Sequence, residues 1–202
     1  MRAVEPPRPG EQELLLAWQE GRFDDATTLA LERYGPEVLG MLAARLRSDS
    51  DAAEAFSMFA VDLWRGLPGF AWRCSLRAWA HRIARNAGHR WRTQARRELP
   101  LPSDALERVA ARVKTTTLLY LRSEVKSEVR RLRDELSEED QLVLVLRVDK
   151  GLEWRDIAMA LADADLEEPE LTREAARLRK RLSLATARLR ELAQARGLLP
   201  SK

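Results

Sequence analysis

Apolar residues recur along this chain at spacings of three and four. Phe56, Phe59, Leu63 and Leu67 form one such stripe, and Leu76, Ala80, Ile83, Ala87 and Trp91 form another with Trp79 beside it. Val125, Val129, Leu132 and Leu136 make a third. That period belongs to amphipathic helices. Breakers divide the pattern near Gly21 and at Gly35-Pro36. Asp51 reads as an N-cap, Gly66, Pro68 and Gly69 stop the helix that follows, and Ser75 caps the next. "ELPLPSD" at 98–104 has two prolines and no helical period, so it marks a linker. Beyond it, Thr115-Thr116-Thr117 weakens the middle of a helical stretch, Ser137 with Asp140 forms an approximate capping box, and Gly151 is a C-cap. "LEWRDIAMALA" is a short amphipathic helix, "DADLEEPEL" is a loop, and a long basic helix runs to Gly197. The reading is an all-α chain of two helical domains, 11–97 and 119–197, joined by a linker over 98–118.

Composition supports that reading. Leu, Ala and Arg dominate, whereas Val, Ile, Tyr and Phe are sparse, which favours helices over sheets. No apolar run approaches the roughly 20 residues needed to span a bilayer, so no membrane insertion is expected. The opening "MRAVEPPRPGEQE" lacks the apolar stretch of a signal peptide, and the expectation is a cytoplasmic protein. The single cysteine, Cys74, excludes an internal disulfide framework. No cysteine–histidine metal spacing, glycine-rich phosphate loop or nucleophile–base set appears, so no enzyme, metal or cofactor is expected.

Charge changes the picture more. The net charge is only +3, but between Asp62 and Glu98 there is no carboxylate while nine arginines occur: 65, 73, 77, 82, 85, 90, 92, 96 and 97. An interval of one sign points to a polyanion, although a basic surface without a partner is the plainer alternative. On a helix, "WAHRIARNAGHRW" sorts into the apolar stripe above and a second stripe of Arg77, His81, Arg85, His89, Arg92 and Arg96. Trp64, Trp79 and Trp91 are expected in the core. Trp72, in a loop with Phe70, is expected exposed, where an aromatic beside cations suits stacking on unpaired bases.

At this point the residues resemble a known family. Leu63-Trp64, Phe70, Ser75-Leu76-Arg77-Ala78-Trp79 and Ile83-Ala84-Arg85-Asn86 are similar, in order and spacing, to the core-binding and −10-reading segment of extracytoplasmic-function sigma factors of bacterial RNA polymerase. "LSEEDQLVLVLRVDKGLEWRDIAMALA" resembles the start of that family's C-terminal helix-turn-helix domain. The resemblance implies a sigma factor that binds RNA polymerase core and promoter DNA, with an inhibitory anti-sigma protein as a further partner. It implies −10 contacts by Phe70, Trp72, Arg73, Arg77, Arg85, Asn86 and Arg92, the loop capturing a base flipped from melted DNA. It implies −35 contacts by Arg173, Arg177, Arg179, Lys180 and Arg181, with Leu178 and Leu182 seating that helix. It implies polymerase contacts by Glu54, Met58, Asp62, Trp64 and Arg65.

The chain departs from the family in three places. Glu54-Ala55-Phe56-Ser57-Met58 stands where Asp-Leu-Val-Gln-Glu is usual, and Arg90 stands where an aspartate is usual four residues after Asn86. The loop between the two helices of the helix-turn-helix is lengthened by acid-rich sequence from Asp163 to Leu171. Two other functions fit the same features: a helix-turn-helix regulator acting on duplex DNA without polymerase, and a helical adaptor whose basic patches meet an acidic protein.

Overall fold

A computed structural model describes residues 11–93, 103–123 and 128–199. Among these residues the chain has nine α-helices and no strand, and it is 80% helical. It forms two compact units that divide between Arg122 and Ser123. Arg96, Arg97 and Val125 lie outside the described residues.

The first unit holds α1 (Gln12–Gln19), α2 (Phe23–Leu46), α3 (Asp49–Gly66), α4 (Leu76–Thr93) and α5 (Asp104–Ser123). Gly21, at φ +72°, turns α1 into α2, a left-handed position that suits glycine. The expected break at Gly35-Pro36 does not occur, because α2 runs through it. Proline there removes one donor, the one Glu32 would have met. Glu32 and Pro36 both face solvent, so the deficit falls on an exposed turn. The cap of α3 lies earlier in the chain than Asp51: Ser48 Oγ accepts the Asp51 N–H at 3.2 Å. Ser75 caps α4 as expected, accepting from the Ala78 N–H at 3.1 Å. Phe56, Phe59, Leu63, Leu67 and Leu76 are fully buried, with Leu31, Leu39 and Leu42 of α2 among the largest side chains of the same core. Residues 104–118, within the segment expected as linker, belong to α5, whose Leu106, Ala110, Val113 and Thr117 are buried.

The second unit holds α6 (Glu128–Arg133), α7 (Glu138–Leu144), α8 (Trp154–Leu161) and α9 (Glu170–Ala195). Ser137 caps α7, accepting from the Asp140 N–H at 3.2 Å and donating to its carboxylate at 2.6 Å. A π-helical turn, Val145–Asp149, follows, and the Leu152 N–H returns to the Leu146 carbonyl at 2.9 Å. Leu136, Leu144 and Ala185 form a small core with Leu182 and Leu189 against it, so α9 is seated by the leucine side of its own helix. Residues 162–169 separate α8 from α9.

Candidate nucleic-acid interface

The acid-free interval folds into the end of α3, a tight loop and α4. A 3-10 turn, Leu67–Gly69, leads into the loop, where Trp18 of α1 donates its indole N–H to the Leu67 carbonyl at 2.8 Å. Trp72 is not exposed as expected; it is 6% accessible and lies edge-on to Trp18 at 5.6 Å between ring centroids, and 4.9 Å from Phe70. Phe70 in turn packs on Trp79 at 4.7 Å. The physical reason is aromatic association: each such pair contributes about 0.5–1.5 kcal/mol beyond area burial, and Trp72 makes two of them. That gain also offsets the backbone, because Trp72 sits at φ +53°, a position that costs about 1–3 kcal/mol for a bulky residue. Its indole N–H is buried with no hydrogen-bond partner among the described residues. Ala71 and Arg73, on either side, are exposed. Sequence reasoning missed Trp18, whose signal was a tryptophan on a short helix far from the loop in sequence.

The polar stripe of α4 splits. Its first two members turn inward to α2: Arg77 Nε donates to Glu37 at 2.9 Å, and His81 Nε2 lies 2.7 Å from the same carboxylate. His81 is 1% exposed, with Nδ1 3.4 Å from Met41 Sδ. Burial alone would raise the Glu37 pKa, but the hydrogen bonds from His81 and Arg77 outweigh it and hold the carboxyl below its ordinary value. Ala78, Ala84 and Gly88 are buried besides the expected Leu76, Ala80 and Ala87, because α4 packs against both α2 and α3. That two-sided packing is why a one-stripe reading placed Arg77 and His81 outside. Ile83, Trp79 and Trp91 are half-buried.

The later residues face outward. Asn86, His89 and Arg92 are exposed, and Arg85 is half-exposed, reaching Asn86 Oδ1 at 3.1 Å. Arg92 donates to the Arg45 carbonyl at 2.8 Å, and Arg45 donates to the Arg85 carbonyl at 3.0 Å, bracing α4 on α2. Arg90, in place of the usual aspartate, pairs with Asp62 of α3. On α3, Glu54 and Arg65 are exposed and Met58 and Asp62 half-buried. Trp64 is half-buried and donates to Asp24 at 2.8 Å. Trp64, Arg65 and Pro68 line an open cavity of about 670 Å³ with residues 21–25.

In the second unit, the arginines of α9 divide in two. Arg177 binds Glu174 at 2.7 Å and reaches Glu139 at 3.4 Å, while Arg181 binds Asp140 at 2.7 Å and Glu139 at 2.6 Å. The Glu174 bond, outweighing desolvation, raises the Arg177 pKa. Arg179 lies over the Trp154 ring at 5.8 Å, with Arg147 over the same ring at 5.1 Å. Arg173 and Lys180 are exposed and hold no side-chain partner among the described residues. Leu184 is 63% exposed on the same helix. In the acidic loop, Glu168 pairs with Arg155 of α8 and accepts from Thr172 at 2.7 Å.

Among the described residues no group of three or more His, Cys, Asp or Glu could hold a metal ion, and no helix is long and apolar enough to cross a membrane. Residues 30–98 match the family model of Sigma-70 region 2. No curated protein and no solved structure matches the chain.

Proposed function

We infer that this chain, whose residues 30–98 match Sigma-70 region 2, is a sigma-70-family, promoter-specific initiation subunit of the extracytoplasmic-function type. The observation that carries this is a coincidence of three boundaries: the family match over 30–98, the acid-free interval between Asp62 and Glu98, and the aromatic loop inside both.

In this reading α3 presents Glu54, Met58, Asp62, Trp64 and Arg65 to polymerase core. Asp62 reaches core already paired with Arg90, so Glu54 and Arg65 supply the readily available charges. Arg73, Arg85, Asn86 and Arg92 meet the −10 strand, in phosphate and base-edge contacts. Arg77 acts indirectly, by fixing α4 on Glu37. Phe70 and Trp72 frame the loop that receives an unpaired base, and the buried, unpartnered Trp72 N–H becomes a donor for it when the loop opens. The second unit contacts the −35 duplex through Arg173 and Lys180, which surrender no acid partner on binding, whereas Arg177 and Arg181 must exchange carboxylates for DNA. Arg179 holds the helix to Trp154. The protein works in the cytoplasm, and an anti-sigma protein holds it silent by covering these faces.

Run-off transcription from a genomic promoter pool, with core polymerase plus this chain, tests the reading. Specific start sites are expected. Binding to core without any specific start overturns it, and footprints on duplex DNA with no core affinity would assign a polymerase-independent regulator instead.

A further inference from the structure

Helix α5 touches α3 at Ser57 and α2 at Glu32 and Gly35. Lys114 donates its Nζ to Ser57 Oγ at 2.9 Å, and Arg112 pairs with Glu32 of α2. Between them Val113 fills a notch that exists because residue 35 is glycine. A Cβ there would lie 2.8 Å from Val113 Cγ1, closer than such contacts allow, and 3.3 Å from Phe56 Cζ, a tight contact. Leu106, Ala110 and Thr117 complete the buried face.

This contact differs from that of α4. Among the described residues it seats Leu106, Val113, Ala110 and Thr117, and its ion pair is solvent-exposed, a kind that contributes little. Its polar bond to α3 goes to Ser57, within a turn of Glu54, Met58 and Val61.

We propose that α5 is a built-in strap that covers the Ser57 flank of α3 and must leave before the chain engages polymerase core. The proposal rests on the reading of α3 as the polymerase-binding helix. Only molecules with the strap open bind, so the apparent affinity is the intrinsic one reduced by the open fraction.

A disulfide staple tests it. In Gly35→Cys/Val113→Cys the missing valine methyl makes room for the new side chain, and the two Cβ atoms fall near the roughly 3.5–4.5 Å separation a disulfide needs. Cys74 is buried and does not compete. Core binding is measured on the full chain, oxidised and then reduced with dithiothreitol. At least about a tenfold loss on oxidation, restored by reduction, is expected. Val113→Asp, which places a charge in the notch, should loosen α5 in hydrogen exchange and tighten core binding. Oxidised protein that binds as well as reduced protein overturns the strap and leaves the sigma-factor reading standing. So does a Val113→Asp chain with α1–α4 folded and unimproved affinity. Failure of the wild-type chain to bind core at all removes both.

Discussion

Trp72 is where packing and the proposed base capture meet in a single residue. It holds a left-handed backbone position because Trp18 and Phe70 bury its ring, and burial of a tryptophan contributes about 4–6 kcal/mol from area alone, more than the strain costs. Trp72→Ala should therefore lower stability by about 3–5 kcal/mol and release the loop. Trp72→Phe keeps much of the packing but removes the unpartnered N–H. Permanganate reactivity of promoter thymines separates the two roles. Trp72→Phe is expected to bind duplex promoter normally and open it less well; equal opening would show that the N–H meets no base. Glu37 supplies a second residue-scale prediction. Its carboxyl is held below the ordinary value, so its contribution is present above the unfolded carboxylate range and disappears as pH falls through the folded value. Thermal melts from pH 7 down to about 3 should fall more steeply for wild type than for Glu37→Gln, which starts less stable.

At the scale of elements, the helices were legible wherever one face was buried and the caps were local. Ser75 and Ser137 could be read because the cap and the amide it serves are three residues apart. Asp51 misleads, since it sits at the third helical position behind Ser48, the serine whose hydroxyl takes its amide. What periodicity could not show was a helix packed on two sides. Arg77 and His81 of α4 look outward only until Glu37 of α2 is placed beside them. The arginines of α9 were readable as a basic face, but their acid partners on α7 lie about forty residues away in sequence, as in the Arg181–Asp140 pair. That pair joins two elements. Arg181→Ala should cost the second unit about 1–2 kcal/mol in thermal or denaturant unfolding, because both side chains are mostly buried. Glu139→Gln acts in the opposite functional direction. It relieves Arg177 and Arg181 of a competitor and should tighten −35 binding severalfold; unchanged binding would place both arginines off the DNA.

Over the whole molecule, the proposed function rests on how charge is segregated rather than on how much there is. Thirty-five basic and thirty-two acidic residues nearly cancel, yet the chain leaves a stretch from 63 to 97 without a carboxylate. Folding then sets how much of that stretch is usable. Glu37 and Asp62 return from outside the interval to neutralise Arg77 and Arg90, while Arg92 is exposed and donates to a main-chain carbonyl. A carbonyl is a weaker competitor for a guanidinium than a carboxylate, so phosphate displaces it more readily. Removing one arginine–phosphate pairing lowers the slope of log affinity against log salt by about 0.7–0.9. Arg92→Ala should therefore weaken every promoter alike and flatten the slope by about that amount. Arg77→Ala should leave the slope near wild type and act through the packing of α4, visible as a lower melting temperature. Filter binding of two unrelated promoters across a salt series reads both outcomes. If Arg77→Ala flattened the slope as Arg92→Ala does, the inward pairing with Glu37 would not survive in solution, and the division of α4 into a braced half and a DNA-facing half would be wrong.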